Sequence, residues 1–224
     1  MTKKLSIILF SMLGILVAVS CKKEPTFNYP EGTVGHSTIT FFPTFEMTGD
    51  PVMSIVKGSG WTDPGIKATE GDAEIPVTTA GTVNADEEGL YILNYSATNK
   101  DGYSATTQRI VVVIPEHETP GVDISGEYLP IGGAPANAII TKQAEGVYYT
   151  TNCWGGGSTA VLPAYLVCLD GAKPYIPLQD LGYGAGRIVT ENPGTYVNGV
   201  LSWTVTRLDF PGGALTRDKQ WQKL

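Results

Sequence analysis

From Ser37 onward the sequence consists of short runs in which apolar and polar residues alternate, separated by glycine, proline, aspartate and asparagine. Alternation with a period of two places every second side chain on the same face of a β-strand. The chain has 27 glycines and 15 prolines, which would interrupt helices too often, and no long stretch keeps apolar residues at spacings of three and four. The sequence therefore predicts an all-β protein.

The first 20 residues have the layout of an export signal. Lys3 and Lys4 give a basic start, and the stretch from Leu5 to Val19 is apolar apart from two serines and a glycine. A bilayer-spanning helix needs about 20 apolar residues, and this stretch is shorter. We therefore predict that residues 1–20 are a cleaved signal peptide.

The residues Ala-Val-Ser-Cys that end this segment resemble a bacterial lipobox, with Ala18 where leucine is usual. The resemblance implies that Cys21 is acylated and becomes the first residue of the mature protein, anchored stably by two or more acyl chains. Lys22 is not the aspartate that marks inner-membrane retention, so the resemblance implies an outer-membrane lipoprotein. The alternative is a secreted protein cleaved near Ser20, in which Cys21 is a spare thiol.

The chain has three cysteines, so lipidation of Cys21 leaves Cys153 and Cys168 as a pair. In an oxidising compartment, a disulfide between them would close a loop of about 15 residues and contribute ~3 kcal/mol in the chain-entropy model. The alternative is two buried free thiols. The sequence has no C-x-x-C, and its histidines, His36 and His117, are far from both cysteines, so we predict no metal site and no cofactor.

The net charge narrows the range of partners. Removal of the signal peptide takes away two of the 15 basic residues and leaves 13 against 22 acidic residues, a net charge of −9. A nucleic-acid partner would need a basic patch that releases counterions, so the sequence argues against one.

Composition divides the mature chain into four segments. Residues 21–36 lack periodicity and are predicted to be a flexible tether. Residues 37–115 and 123–224 are predicted to be two β domains of ordinary size. A linker is predicted at 116–122, because prolines and charged residues interrupt the pattern there.

The first of these domains contains four motifs in a fixed order: G-x-x-W-x-D-P-G from Gly58, G-x-Y-x-x-x-Y from Gly89, N-x-D-G from Asn99 and R-x-V-x-V from Arg109. In this order they resemble the bacterial immunoglobulin-like domains of hyalin-repeat or adhesin type. The resemblance implies a β-sandwich that serves as a spacer or a binding module, with Tyr91 as a buried tyrosine corner. It also implies that packing rather than a disulfide holds the two sheets, since leucine replaces the second framework cysteine.

The second domain shows alternation typical of an antiparallel meander. Strands are predicted at Ala138–Gln143, Val147–Trp154, Ala164–Leu169, Arg187–Thr190 and Val200–Phe210. The pair Asn198-Gly199 predicts a two-residue hairpin, because both residues tolerate the positive φ of a type I′ turn. We predict a sandwich or a partly closed barrel.

A lipobox, an immunoglobulin-like unit and a glycine-rich aromatic meander together resemble the accessory lipoproteins of glycan-uptake loci in gut anaerobes. The resemblance implies an outer-membrane, surface-exposed or periplasm-facing protein. It also implies a carbohydrate ligand and, as partners, an outer-membrane transporter or other surface lipoproteins.

The residue chemistry supplies candidates for a carbohydrate site, since sugars stack their C–H faces on aromatic rings and need a few polar partners. Trp154 precedes a triple glycine, Tyr183 lies between glycines, and Trp221 lies in a polar tail, so these three rings are predicted to be exposed platforms. The polar candidates near them in sequence are Asp180, Arg187 and Asp218. The alternative for Trp154 is packing beside a disulfide, and Trp203 is predicted to be a core residue because it alternates with Leu201 and Val205 on one strand face.

No motif of a known hydrolase or nucleotide-binding loop is present. A glycosidase needs two carboxylates across a cleft, and spacing alone pairs none of the eight in the second domain: Asp123, Glu127, Glu145, Asp170, Asp180, Glu191, Asp209 and Asp218. We therefore predict a non-catalytic, lipid-anchored glycan-binding protein. The alternative is a structural subunit that docks on another outer-membrane protein and binds no sugar.

Overall fold

A computed structural model gives the structure and describes residues 30, 33–34, 37–132, 136–155, 161–182, 184 and 186–224. The signal peptide, Cys21, most of the tether and Tyr183 lie outside these residues, so the corresponding statements stay predictions. The described part contains strands and turns without any helix, which confirms the all-β prediction. It accordingly offers no helix with the length and apolarity that crossing a bilayer requires.

The chain divides into two compact units, residues 1–41 and 42–224. In the first, β1 (Thr33–Val34) and β2 (Ser37–Thr38) form an antiparallel pair. The Thr33 hydroxyl donates to the carbonyl of Pro30 at 2.7 Å, which fixes the chain before β1.

The second unit contains all the remaining described strands. They are β3 (Thr44–Met47), β4 (Val52–Val56), β5 (Ile66–Glu70), β6 (Ala73–Ile75), β7 (Thr78–Ala80), β8 (Gly89–Thr98), β9 (Ser104–Ile114), β10 (Gly126–Pro130), β11 (Ala138–Ala144), β12 (Val147–Thr150), β13 (Ala164–Val167), β14 (Ile188–Thr190), β15 (Thr195–Val197), β16 (Val200–Arg207) and β17 (Leu215–Lys223).

Strands β3 to β9 form the predicted immunoglobulin-like sandwich. One sheet has the order β3-β5-β6, and the other has the order β4-β9-β8-β7, with β4 parallel to β9 and the other pairs antiparallel. Alternate residues of β8, Leu93, Tyr95 and Ala97, are buried, as the period-two pattern predicts.

The fully buried side chain of Arg109, on β9, ties the two sheets together. Its Nη2 donates to the carbonyl of Thr48 at 2.7 Å and to that of Gly65 at 3.2 Å, next to β3 and β5. Its Nε lies 3.4 Å from the Asp63 carboxylate, which also accepts a 2.8 Å hydrogen bond from the Tyr95 hydroxyl. The D-P-G turn and the R-x-V-x-V strand of the sequence therefore meet in one buried polar network, which satisfies the charge that burial would otherwise penalise.

A tyrosine corner is present in each region. The Tyr91 hydroxyl donates to the Glu87 carbonyl at 2.8 Å, as predicted, although the ring is half-buried rather than buried. The Tyr128 hydroxyl, which is fully buried, donates to the Ile124 carbonyl at 2.6 Å. Each bond joins residues four apart and fixes the entry of the chain into a strand.

Strands β10 to β17 form one curled antiparallel sheet, close to a half-barrel. Its order is β13-β12-β11-β10-β17-β16-β14. Both β14 and β15 pair with the same edge of β16, β14 with residues 205–207 and β15 with residues 200–202. Its concave inner face packs around a hydrophobic cluster that includes Tyr128, Ile140, Tyr148, Leu166, Leu201, Trp203 and Trp221. The burial of Trp203 confirms its prediction as a core residue.

The turn between β15 and β16 is the predicted hairpin. Asn198 has φ 51° and Gly199 has φ 77°, and Val197 pairs with Val200 across the turn. Two successive positive φ values are the requirement that selects the Asn-Gly pair at a type I′ turn.

The prediction that Trp221 lies in a polar tail is wrong, because this part of the chain is the strand β17. The residues Leu215–Lys223 form a nine-residue strand between β10 and β16, inside the sheet. Apolar alternation misses it because Arg217 and Lys219 occupy positions on the same face as the buried Trp221.

The predicted strands of the curled sheet are present with shifted ends. The largest shift is at β12, which ends at Thr150 instead of Trp154. The cause is the buried Asn152, whose side-chain oxygen accepts from the backbone N–H of Trp154 at 3.2 Å and of Gly155 at 3.0 Å. This Asx turn satisfies the backbone locally and so ends the strand.

A second hydrophobic cluster contains residues from both sides of the predicted linker. On one side are Ile110, Val112 and Ile114 of β9, and on the other are Val147 of β12 and Val167 of β13. The apolar run that ends β9 does not alternate because both of its faces are buried, one in the sandwich and one against the outer face of the curled sheet.

The predicted linker itself is bonded to the curled sheet. The Glu118 carboxylate accepts from the Tyr148 hydroxyl at 2.7 Å and pairs with Lys142 at 2.6 Å, and the Thr119 N–H donates to the Leu169 carbonyl at 2.8 Å. The predicted domain boundaries stay a prediction, but these bonds and the shared cluster join the two regions in the structure.

Candidate functional site

An open groove lies on the outer face of the curled sheet, beside β16 and β17. It has a volume of about 560 Å³, within the ~300–1,000 Å³ of common ligand sites. Its lining combines two carboxylates, amides, hydroxyls and one exposed apolar side chain: Ile131, Glu191, Asn192, Pro193, Gly194, Thr195, Ser202, Trp203, Thr204, Asp218, Lys219 and Gln220. We call it the β16–β17 groove.

One wall of the groove is the segment 191–194, which connects β14 to β15. Gly194 lies close against β16, and its N–H donates to the Pro174 carbonyl at 2.7 Å, which holds the segment in place. A Cβ at Gly194 would meet the Ser202 carbonyl and lie 3.0 Å from the Trp203 Cβ, so a larger residue would displace the wall.

The floor of the groove is the outer face of the β16–β17 pair. Ser202 lies opposite Gln220, and Thr204 lies opposite Asp218. The Thr204 hydroxyl donates to Asp218 Oδ1 at 2.7 Å, which fixes the carboxylate over the strand pair. Because Trp203 points to the inner face, its two neighbours on β16 must point outward into the groove.

Several polar side chains of the groove are available for a ligand. Among the described residues, the side chains of Glu191, Asn192, Ser202 and Gln220 have no hydrogen-bond partner. Together they present acceptors and donors along one surface, beside the half-exposed Ile131. This arrangement suits a polar ligand that lies along the sheet.

The structure places one of the predicted ligand residues, Asp218, in this groove. The prediction that Trp154 and Trp221 are exposed aromatic platforms is wrong, because Trp154 is 6% exposed and Trp221 is 1% exposed. Trp154 is covered by cations, with Lys219 Nζ 5.2 Å and the Arg207 guanidinium 5.7 Å from its ring. Both rings belong to the inner cluster, where stacking on a sugar is excluded.

The other polar candidates are bonded elsewhere. Arg187 Nε and Nη2 donate to the two oxygens of Asp209 at 2.9 Å and 2.8 Å. The Arg187 guanidinium holds the pKa of Asp209 well below its usual range. Asp180 accepts from the N–H of Gly182 at 2.9 Å in an Asx turn. Neither Asp180 nor Arg187 lines the β16–β17 groove.

Cys153 and Cys168 are free and buried, so the structure contradicts the predicted disulfide and has the alternative of two buried thiols. Their backbones are held in different places, since the Cys153 N–H donates to Leu162 and the Cys168 N–H to Gly146. Burial raises the pKa of Cys153 to about 12 and that of Cys168 to about 11, so both are neutral near pH 7.

The sequence analysis missed Glu191, Asn192, Ser202, Thr204 and Gln220 as site residues. A signal for part of this set was available, because the alternation that buries Trp203 also exposes its neighbours on β16. β17 follows β16 across a loop that contains Pro211-Gly212-Gly213, but the polar residues of β17 hide its strand character, and no local signal turns the segment 191–194 toward the pair.

Comparison with known proteins bears mainly on the sandwich. Residues 45–113 match the family of bacterial surface protein, Ig-like domains, which agrees with the resemblance read from its motifs. No curated protein matches the chain. The crystal structure of a lipoprotein from Bacteroides thetaiotaomicron is 23% identical over 81% of this chain and 100% of its own, with a TM-score of 0.39, too low to support an inference. The family match supports a cell-envelope protein.

Proposed function

We propose that the protein is a non-catalytic glycan-binding protein of the bacterial cell envelope, anchored through a lipid on Cys21. The observation that carries the proposal is the β16–β17 groove, with its row of unpartnered polar side chains on an open sheet face. The family match of the sandwich supports the envelope location, and the lipobox supports the anchor.

The chemistry of the groove suits a sugar chain. A glycan presents many hydroxyl groups, each of which donates and accepts, and the groove offers both kinds of partner from Glu191, Asn192, Ser202 and Gln220. The groove is open to solvent, which suits an oligomer better than an enclosed small molecule. Ile131 supplies one apolar surface for the C–H face of a ring.

Binding to soluble polysaccharides and a glycan array tests the proposal, with the full chain purified in detergent. Gln220→Ala and Asp218→Ala should each weaken binding about two- to tenfold, because each hydrogen bond contributes roughly 0.5–1.5 kcal/mol. Gln108→Ala is the matched control, since this exposed amide lies on β9, away from the groove, and should leave affinity unchanged. Binding that survives the double variant of Asp218 and Gln220 would move the site elsewhere.

The same incubations test the non-catalytic part. Glu191 and Asp218 both line the groove, and a paired-carboxylate hydrolase would release shorter sugars. We expect chromatograms of the sugar to be unchanged after prolonged incubation. Any shortening that Asp218→Asn abolishes would make the protein an enzyme.

The mass of the purified protein tests the anchor. The expected mass corresponds to residues 21–224 with acyl groups on Cys21, and Cys21→Ser should abolish both acylation and membrane retention. A bare thiol at residue 21 or an intact leader would contradict the anchor and leave the groove unaffected.

A second candidate function, docking on another envelope protein, is favoured by exposed apolar side chains beside the groove. Leu129 on β10, Ile131 in the turn after β10 and Ile139 on β11 are 37%, 49% and 50% exposed. A transporter or lipoprotein that covers them would co-purify with the lipidated protein and be released by Ile131→Asp. Co-purification without any response to glycans would favour this function over the first.

A further inference from the structure

Phe42 and Tyr103 form an exposed aromatic pair at one end of the sandwich. Their ring centroids lie 5.2 Å apart, and the rings meet edge to face. Phe42 is 60% exposed and Tyr103 is 51% exposed. Two rings that meet in solvent form one apolar surface, and such joined surfaces mark contact sites more often than single exposed residues do. We call these two residues the aromatic pair.

The turn that carries Tyr103 is fixed by hydrogen bonds. The side-chain oxygen of the buried Asn99 accepts from the backbone N–H groups of Asp101 at 3.1 Å and Tyr103 at 2.7 Å. Glu70, the last residue of β5, accepts from the N–H of Lys100 at 3.0 Å and pairs with its ammonium at 3.5 Å. The exposure of the Tyr103 ring is therefore a property of a well-held turn.

The border of the aromatic pair is polar and nearly neutral. At the start of β3, the hydroxyls of Thr44 and Thr69 are hydrogen-bonded at 3.0 Å. Across the β8–β9 turn, those of Thr98 and Ser104 are hydrogen-bonded at 2.7 Å. The turn itself carries one exposed cation and one exposed anion in adjacent positions. An apolar centre with such a border suits the interface of a bilayer, where aromatic rings lie at the level of the headgroups.

The aromatic pair lies at the end of the sandwich that is away from the curled sheet. Tyr103 directly precedes β9, whereas Ile114, the last residue of that strand, is buried in the cluster with β12 and β13. At about 3.4 Å per residue, β9 separates the two ends by roughly 34 Å. A surface that covers the aromatic pair therefore meets the sandwich and leaves the curled sheet uncovered.

The predicted lipid anchor identifies the surface that meets the aromatic pair. Phe42 is the first residue of the second compact unit and lies 21 positions after Cys21. A flexible segment of that length spans roughly 25 Å on average and at most about 75 Å. With Cys21 in a membrane, the bilayer stays within reach of Phe42 at an effective concentration on the order of millimolar. Even a weak contact made by two rings is then occupied.

We propose that the aromatic pair inserts into the headgroup region of the membrane that holds the lipid anchor. The contact stands the sandwich on the bilayer and directs the curled sheet, with its groove, away from it. Tyr103 keeps its hydroxyl among the headgroups, while its ring and that of Phe42 leave the water. The inference rests on the anchor of the proposed function and is independent of the ligand of the groove.

Quenching by brominated lipid tests the contact, with the acylated full chain in vesicles of phosphatidylethanolamine and phosphatidylglycerol. Tyr103→Trp places a fluorophore in the aromatic pair, and Val197→Trp, at a 59% exposed position on β15, is the matched control. Subtraction of the wild-type spectrum removes the emission of the four native tryptophans. Emission from position 103 should shift to shorter wavelength and be quenched by phospholipids brominated near the headgroup, and emission from position 197 should not change.

Phe42→Ser tests whether the two rings act together. In the Tyr103→Trp background it removes one of the two apolar surfaces, so it should reduce the quenching by about half or more. Leu178→Ser changes a 50% exposed side chain of the curled-sheet region and should leave the quenching as it was. Circular dichroism checks that both variants fold. Equal quenching in the two variants would show that Phe42 takes no part in the contact and would overturn the pair as the site.

Three further outcomes would overturn the inference in distinguishable ways. A chain that floats with the vesicles while position 103 stays unquenched would remove the contact and leave the anchor intact. Equal quenching at positions 103 and 197 would show that the curled sheet lies on the bilayer as well. A chain that does not float lacks the anchor, and the proposed anchoring then fails together with the contact.

A photo-cross-linker separates the bilayer from other occupants. Replacement of Tyr103 by p-benzoylphenylalanine in cells should give adducts with lipid after irradiation. Adducts with a protein, including a second copy of this chain, would overturn the membrane contact and make the aromatic pair a protein interface.

Discussion

The sandwich of β3–β9 and the curled sheet of β10–β17 both contain a tyrosine corner, but their interiors are built from different residues. The sandwich is organised around a buried charge, Arg109, which bonds to the backbone of both sheets and to Asp63. The curled sheet is filled by aromatic rings and two thiols, with Trp203 and Trp221 on adjacent strands. The sandwich is thus specified by a few directional bonds, and the curled sheet by the packing of large side chains.

The difference extends to where each region could bind. In the sandwich, the side chains of Arg109, Tyr95 and Asp63 are bonded to one another, and the C-terminal part of β9, residues 109–114, is buried on both faces. The curled sheet is covered at β12 and β13 by the sandwich and carries the groove at the opposite edge, near β16. The sandwich therefore packs against the curled sheet at the end away from the groove.

The largest effect that this comparison predicts is that of Arg109→Met. Removal of the guanidinium takes the cation away from Asp63 and a donor away from three backbone carbonyls, and loss of one partner from a buried charge network costs about 3–5 kcal/mol. Urea unfolding followed by circular dichroism measures the loss. Arg187→Met is the control, because its pair with Asp209 is exposed and its loss should be small. Equal losses in the two variants would show that the buried network does not organise the sandwich.

Ile114→Ala tests whether the two regions unfold as one body. The side chain is fully buried in the cluster that joins β9 to the curled sheet, so its truncation should cost about 2–4 kcal/mol. Hydrogen exchange measured by mass spectrometry should show reduced protection in peptides from both regions. Ile139→Ala removes an exposed side chain and should change neither. Loss of protection limited to residues 42–114 would show that the sandwich unfolds independently, as a separate spacer would.

Sequence alone predicted the sandwich better than the curled sheet, and the reason is the range of the contacts. The Asp63-Pro64-Gly65 turn and the Tyr91 corner are closed by bonds between residues two and four apart, so their signals are local. The Asn198-Gly199 hairpin was predicted for the same reason.

The site could not be predicted to the same extent, because one strand of its floor is hidden in the sequence and Ile131 reaches it from a distant part of the chain. The floor requires β17 to lie beside β16, and β17 has polar residues at inward positions that hide its strand character. The prediction that Trp154 and Trp221 are exposed is wrong, because neighbouring glycines and charges do not by themselves place a ring in solvent. In the structure, Gly155 lets the backbone approach the indole of Trp221, and Lys219 covers the ring of Trp154.

Alkaline pH should weaken the curled sheet more than the sandwich. Burial raises the thiol pKa from 9.0 to about 12 at Cys153 and to about 11 at Cys168. The folded state therefore keeps protons that the unfolded chain releases at the same alkaline pH. This stabilisation is complete below pH 9 and is lost as pH rises toward 12. Burial also raises the pKa of Tyr128 and Tyr148, which adds to the effect.

Urea unfolding at pH 8 and pH 10 measures this loss. Cys153 should contribute up to about 1.4 kcal/mol over the one pH unit above 9. Cys153→Ala should flatten the alkaline limb of the profile. Alkylation of the unfolded, unreduced protein should add one group at each of Cys153 and Cys168, and a mass without these additions would show a disulfide.

Gly199→Ala tests how much a local turn matters in a region held by packing, and its effect should be well below that of Arg109→Met. An alanine at φ 77° costs about 1–2 kcal/mol, and its Cβ would also approach the Gln222 amide at 3.2 Å. Asn198→Gly is the matched change and should be nearly neutral, because glycine adopts the same φ freely. Thermal unfolding of the two variants gives the comparison. Because β16 also pairs with β14 and β17, the fold should survive the strained turn. A loss from Gly199→Ala larger than that from Arg109→Met would reverse the comparison, with the curled sheet depending on local geometry and the sandwich on packing.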